Sequence, residues 1–250
     1  MDLGISGRTA LVMGASRGLG KAIAAALARE GARVAMASRS REALEGAAAE
    51  IEGETAVLEA DASDLDRLAN LASEVEDALG PIEILVANTG GPPFGGALDN
   101  PLSEWEQAYR SLVLAPRVLT EAVLPGMRDR GWGRIVNVGS SSVREPIPGL
   151  ALSNAHRMAA VGFFKTLASE VAADGITVNT VATGRFATKR LASNWASWEE
   201  MERRAHEGVP AGRLGRPEEY GDLVAFVCSE RAAYLTGAVI PLDGGLLRSG

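Results

Sequence analysis

The chain is short of several residue types, and each shortage removes a class of function. A single cysteine, Cys228, excludes an internal disulfide and fits a reducing compartment, so a cytoplasmic protein is expected. In the run Leu223-Val224-Ala225-Phe226-Val227-Cys228 the thiol reads as a helix core residue, not as a nucleophile. His156 and His206 are the only histidines, too few ligands for a zinc site, and no metal is expected. No apolar run reaches membrane-spanning length, and the N-terminus shows no charged-then-apolar leader. A net charge of −7 sets the field of the whole molecule against nucleic acid and anionic membranes. Lysine occurs only at Lys21, Lys165 and Lys189, and tyrosine only at Tyr109, Tyr220 and Tyr234.

Against these shortages stand 250 residues that are 46% hydrophobic, enough to bury one large core without a second domain. Short β-rich runs alternate with longer helical patterns, which is the sequence form of a parallel sheet covered by helices on both faces. Seven strands are expected near Thr9–Met13, Arg33–Ala37, Ala56–Glu59, Ile82–Ala87, Arg134–Val138, Thr177–Val181 and Ala238–Pro241. Helices are expected near Leu19–Glu30, Arg41–Ile51, Asp64–Leu79, Ser103–Arg130, Leu152–Ala173 and Pro217–Ser229. Gly31, Gly80 and Gly175 fall where helix C-terminal caps belong, Ser103 with Glu106 has the form of a capping box, and Pro116 predicts a kink or break. Residues 185–212 read as an irregular segment rich in Trp, Arg and Glu. It follows a strand's C-terminal end, where open α/β sheets bind ligands, and is a candidate lid or a solvated helical excursion.

Between the first strand and first helix lies Gly14-Ala15-Ser16-Arg17-Gly18-Leu19-Gly20. Glycines there let the backbone approach a pyrophosphate closely, while the amides and positive end of the helix face the anion. The second strand runs out into Ala37-Ser38-Arg39-Ser40. A carboxylate at that place would suit the ribose hydroxyls of NAD; an arginine suits the 2′-phosphate of NADP. Arg39 is present and the acid is not, and Arg17 is a second cation for the same phosphate, so NADP(H) is favoured.

Further segments give the chain a resemblance, over nearly all its length, to the short-chain dehydrogenase/reductase family and its 3-oxoacyl-carrier-protein reductase-like branch. Asp61-Ala62 resembles the family's adenine contact, and Asn88-Thr89-Gly90 its Asn-Ala-Gly turn. Gly133 to Ser140 resembles the strand ending in the catalytic serine, and Thr183-Gly184 stands for the usual Pro-Gly. Thr188 resembles the residue that holds the nicotinamide carboxamide, and Gly212 to Glu219 with Asp243-Gly244-Gly245 completes the pattern. The resemblance implies a single Rossmann domain over residues 1–250, a doubly wound seven-stranded parallel sheet. It also implies a small carbonyl or alcohol substrate, and a homotetramer built on the helices near Ser103–Arg130 and Leu152–Ala173 and the last strand.

In that family a tyrosine gives the proton, a lysine four residues later lowers its pKa and holds the ribose, a serine bonds the substrate oxygen and an asparagine supports a relay water. Here the tyrosine position carries Ser153, the lysine position Arg157 and the asparagine position Leu112, and only Ser140 is retained. None of the three tyrosines is followed by lysine four residues on. Arg157 keeps a positive charge for the ribose, but a guanidinium with a pKa above ~12 does not relay protons. A water held by Ser140, Ser153 and Arg157 is one candidate donor. His156, whose type has an unperturbed pKa of about 6.5, is another, or else an interface or surface group.

Three readings therefore stand: an NADP(H)-dependent carbonyl reductase or alcohol dehydrogenase with an atypical proton donor, a non-catalytic NADP(H)-binding sensor or partner subunit, and a different reaction on an anionic substrate with Arg144, Arg157 and Arg185 lining one pocket. Phe94 and Trp195 are candidate apolar contacts.

Overall fold

The computed structural model describes residues 1–192 and 196–248; Trp195 lies outside them. Seven strands form one all-parallel sheet: β1 (Thr9–Met13), β2 (Arg33–Ser38), β3 (Thr55–Glu59), β4 (Ile82–Ala87), β5 (Gly133–Val138), β6 (Ile176–Thr183) and β7 (Val239–Leu242). Their order is β3-β2-β1-β4-β5-β6-β7, so the chain winds outward from β1, returns to β4 and winds the other way. The crevice between β1 and β4, where the direction reverses, is where such sheets take ligands.

Side-chain alternation sends each strand into two cores. Ala10, Val12, Val34, Met36, Ile84 and Val86 meet α1 (Gly18–Arg29), α2 (Arg41–Ala48) and α9 (Pro217–Val227) on one face. Leu11, Met13, Ala35, Leu85, Ile135 and Val178 meet α3 (Leu65–Leu79), α5 (Ala115–Arg130) and α6 (Ala151–Val171) on the other. Strands buried on both faces, such as β1, are near-continuous apolar runs and read directly, whereas β3 and β7 at the two edges of the sheet are only partly buried. Gly31, Gly80 and Gly175 follow their helices with positive φ, as expected.

Two helix expectations need correction. The expected capping box at Ser103 does not form: Pro101, fixed near φ −66°, starts α4 (Leu102–Tyr109) two residues earlier, with no side-chain cap. The single helix expected over Ser103–Arg130 is α4, a π-helical turn (Arg110–Leu114) and α5. Pro116 is the physical cause: it has no N–H for the Leu112 carbonyl and its ring crowds that carbonyl, so the turn before it widens, and the Ala115 N–H reaches back to Arg110.

Residues 185–212 are more regular than expected, containing α7 (Lys189–Ala192) and α8 (Trp198–Gly208). Met201, Ala205, Val209 and Leu214 form a small core beneath them, and Phe186 bridges to Gly215. No helix among the described residues is long and apolar enough to cross a membrane.

Candidate active site

The glycine turn leaves β1 in a conformation only small residues allow. Gly14 has φ +63°, and a Cβ built on it would lie 2.6 Å from the Asn88 carbonyl oxygen. One built on Gly20 would fall 2.1 Å from the Gly14 carbonyl. Asn88, leaving β4, thus packs under the turn from the strand next door. Ser16 lies within this turn, and Arg17 is the extended N-cap of α1; no side chain caps the helix and its first turn carries no acid, an arrangement suited to binding an anion at the amides of Gly18, Leu19 and Gly20. The Thr188 methyl closes the far side, 3.5 Å from where a Gly18 Cβ would stand. Gly184 is held against the last strand's exit, where a Cβ would lie 2.4 Å from the Asp243 Cα.

At the end of β2 an open cleft of about 610 Å³ is lined by Arg39, Arg41, Glu59, Ala60, Asp61, Asp64 and Arg67. Arg67 is taken up by Glu74 and the Glu59 carbonyl, whereas exposed Arg39 makes no hydrogen bond or ion pair with the described residues. Asp61 Oδ1 accepts from the Ser63 amide at 2.8 Å and its hydroxyl at 2.9 Å, which fixes the Asp61-Ala62 corner beneath the cleft. Arg17 is outside the lining residues.

The other end is built by α6. Loop and helix are tied together, because Gly95 donates to Gly149 and accepts from Ala151 and the Asn154 amide brackets Ile147. This delivers Ser153 and Arg157 one turn apart to the ends of β4 and β5. Arg157 Nε donates to Ser153 Oγ at 3.2 Å, Nη1 to the Val138 carbonyl at 2.6 Å, and Nη2 to the Gly90 carbonyl. Burial draws Arg157 down to about 10, with the charge of Arg190 adding to the effect. Ser140, extended at the end of β5, accepts from the Ser142 amide at 3.1 Å. Leu112 is buried in the π turn.

His156 is not brought to this cluster. Its Nδ1 lies 2.7 Å from the Leu152 carbonyl, and its ring packs against Trp105 and Tyr109 of α4 at centroid distances of 5.3 and 6.3 Å. One residue of helix rotates a side chain by about 100°, enough to carry position 156 from the cleft wall to the interhelix seam. Nor does Arg185 join Arg157. It lies beside Gly208 and lines a separate cavity of about 180 Å³ with Phe186, Arg213, Glu219 and Asp243.

Two features escaped the sequence reading. Arg190 of α7 reaches the loop after β4, donating to the Pro92 carbonyl at 3.2 Å. Its only signal was an arginine two residues after Thr188. Tyr220, fully buried, shares a 2.9 Å hydrogen bond with the Thr183 hydroxyl, and burial raises its pKa. No group of His, Cys, Asp and Glu among the described residues is arranged to hold a metal ion.

A sequence profile of the family described as "Enoyl-(Acyl carrier protein) reductase" matches residues 14–247. The human protein "Dehydrogenase/reductase SDR family member 4" is 36% identical over 248 residues, which cover 96% of this chain and 88% of that protein. "3-oxoacyl-[acyl-carrier-protein] reductase FabG" of Haemophilus influenzae is 34% identical over 245 residues, 98% of this chain and 100% of the relative. Among solved structures, L-sorbose reductase from Gluconobacter frateurii, complexed with NADPH and L-sorbose, superposes with a TM-score of 0.95 at 31% identity over 100% of both chains.

Proposed function

Since the chain belongs to the short-chain dehydrogenase/reductase family, we propose that it is an NADP(H)-dependent oxidoreductase interconverting a small carbonyl compound and its alcohol, with Ser153 and Arg157 in the places of the family's tyrosine and lysine. The observation that carries this reading is the cofactor end. Gly14 and Gly20 lie too close to Asn88 to carry a Cβ, the first amides of α1 have no side-chain cap, and Arg39 overlooks an open cleft without a partner among the described residues. These features fit a dinucleotide carrying a 2′-phosphate. Gly14, Ser16, Arg17, Gly18, Leu19 and Gly20 would hold the pyrophosphate, Arg39 the 2′-phosphate, Asp61 and Ala62 the adenine, and Asn88, Gly90, Arg157, Gly184 and Thr188 the nicotinamide half.

Bound NADPH supplies a hydride, and NADP⁺ accepts one in the reverse direction. The protein's part is to hold the carbonyl and to manage the proton. Ser140 gives a hydrogen bond to the substrate oxygen. Arg157 places a fixed positive charge beside the alkoxide that forms, the electrostatic part of the work. Ser153 holds a water in the space a tyrosine ring would fill; that water gives the proton to the alkoxide, and the hydroxide left behind takes a proton from bulk solvent. The lid expected over residues 185–212, of which 193–195 lie outside the described residues, belongs to this reading as the element that would close over substrate. The homotetramer and the cytoplasmic location belong to the same reading; half-exposed Tyr109 and Met158, on α4 and α6, support the assembly.

A second reading, a non-catalytic NADP(H)-binding sensor or partner subunit, is favoured by one observation. Leu112 buries a hydrocarbon where the relay water would be anchored, and His156 is turned away. NADPH oxidation by the pure protein across ketones and 3-oxoacyl thioesters, with Ser153→Tyr/Arg157→Lys alongside, separates the two. Turnover by the parent supports the oxidoreductase. NADPH binding without turnover by the parent, and activity only in the double variant, sinks it.

A further inference from the structure

Tyr220 and Thr183 form a hydroxyl pair where β6 ends. Tyr220, on α9, is fully buried in the core shared with α1 and packs edge-on against Phe186 at a centroid distance of 5.2 Å. Its hydroxyl has one hydrogen-bond partner among the described residues, the Thr183 hydroxyl at 2.9 Å. Distance alone allows either oxygen to donate. Burial decides between them, because a phenol that only accepted would leave its own O–H unpaired in an apolar core, the costlier arrangement. Tyr220 therefore donates, Thr183 accepts, and the hydrogen of the Thr183 hydroxyl is left over.

That hydrogen points away from the core. Thr183 is the last residue of β6 and the only one of the strand's eight that is not buried, and its hydroxyl meets no acceptor other than Tyr220 among the described residues. In the neighbouring strand Val138 pairs with Val181, and the Val138 carbonyl takes Arg157 Nη1 at 2.6 Å. Five residues beyond Thr183, the Thr188 methyl lies 3.5 Å from where a Gly18 Cβ would stand. Thr183 thus sits at the end of the sheet where the Arg157 cluster and the glycine turn come together. The electrostatics agree: burial raises the Tyr220 pKa, and the Thr183 hydrogen bond and the charge of Arg157 pull it back, so the phenol lies within the arginine's field.

A neutral, fixed donor suits a neutral acceptor. In the cofactor reading above the phosphates fall to the helix amides and the arginines, whereas the nicotinamide ring carries one neutral acceptor, the oxygen of its carboxamide. We infer that Thr183, its hydroxyl turned outward by Tyr220, donates a hydrogen bond to that carboxamide oxygen, with Tyr220 as its positioning residue. The inference rests on the NADP(H) reading for the identity of the ligand. The family's usual proline at this place offers no hydroxyl, so the contact belongs to this chain's own departure from the pattern.

The test titrates the full chain by calorimetry with NADPH and with 2′,5′-ADP, which has the adenine and the 2′-phosphate but no nicotinamide. The proteins are the parent, Thr183→Val, Thr183→Ser, Tyr220→Phe and the double variant Thr183→Val/Tyr220→Phe. Thr183→Val should weaken NADPH roughly two- to tenfold, the worth of one neutral hydrogen bond, and leave 2′,5′-ADP unchanged. Thr183→Ser should keep the parental affinity, and Tyr220→Phe should lose less than Thr183→Val. The double variant leaves no buried hydroxyl unpaired, which protects the fold, and its loss should equal that of Thr183→Val alone because Tyr220 acts only through Thr183. Parental NADPH affinity in Thr183→Val and the double variant would overturn the inference. So would an equal loss for both ligands, or losses at the two positions that add. A parent that binds no NADPH would remove the cofactor reading and this contact with it, whereas NADPH binding untouched by Thr183→Val would remove the contact alone.

Discussion

Arg157 Nε donates to Ser153 Oγ at 3.2 Å across one turn of α6, and the same guanidinium also reaches the Val138 carbonyl ending β5 and the Gly90 carbonyl in the loop after β4. Its surroundings nevertheless oppose the charge, since burial and Arg190 draw it down to about 10, still ionised at neutral pH. Hydrogen bonds to neutral groups offset only part of the desolvation of a buried cation. Arg157→Met should therefore leave the ligand-free protein as stable as the parent, or up to roughly 2 kcal/mol more stable, as water entering the vacated space rebonds the carbonyls. NADPH affinity should fall about tenfold or more. Denaturant unfolding and a fluorescence titration check both; a destabilised variant with parental NADPH affinity would make Arg157 a structural residue.

Cofactor choice is expected to rest on Arg39. It stands exposed over the open cleft, while neighbouring Arg67 is already engaged by Glu74 and Glu59. Arg39→Ala should weaken NADPH about ten- to hundredfold, the range of a charge-assisted contact to phosphate, and leave NADH almost unchanged. Dissociation constants for both nucleotides decide it, and a parallel loss for the two would remove Arg39 from the 2′-phosphate.

Two glycine-to-alanine changes should act in opposite directions. A Cβ at Gly20 would collide with the Gly14 carbonyl at 2.1 Å, so Gly20→Ala forces the turn apart at a cost of about 1–3 kcal/mol and weakens NADPH binding. Gly46, exposed in α2, has nothing within 4 Å of a built Cβ. Gly46→Ala should gain about 0.5–1 kcal/mol from helix propensity and leave binding alone. Paired denaturation curves with NADPH titrations would show whether the turn, and not glycine content, governs the site.

The central strands were legible because burial on both faces writes them as apolar runs, and the glycine turn because close approach to Asn88 admits few residue types. What escaped depends on contacts that no local pattern encodes. Ser103 had the letters of a capping box, but Pro101 had already fixed the helix start. Pro116 announced a break, and the structure shows that break as a π turn in which the Ala115 N–H reaches the Arg110 carbonyl. His156 follows from rotation about α6 once Trp105 and Tyr109 are placed against it. Arg190 meets Pro92 only after β4 and β6 have been brought to the same end of the sheet.

The acid limb of stability should report on Glu219. Both its oxygens accept from Arg213, at 2.8 and 2.9 Å, and Oε2 also accepts the Arg216 amide at 2.8 Å. This clamps the start of α9 to the strip at Gly215 that pairs with Phe186. The Arg213 hydrogen bonds first, and the Arg216 amide second, hold the carboxyl down at about 2 instead of the ordinary 4.5. A folded-state pKa below the unfolded one means that the unfolded chain takes up the proton first. The stabilisation is therefore complete above about 4.5 and disappears as pH falls towards about 2. Its size is reduced by solvent, because the Arg213 partner is half exposed. Glu219→Gln should unfold earlier than the parent at neutral pH, with the gap closing through that window. Thermal midpoints of both proteins from pH 7 down to the acid limit provide the check, and a gap that stays constant across the window would show that the carboxylate charge contributes nothing to the clamp.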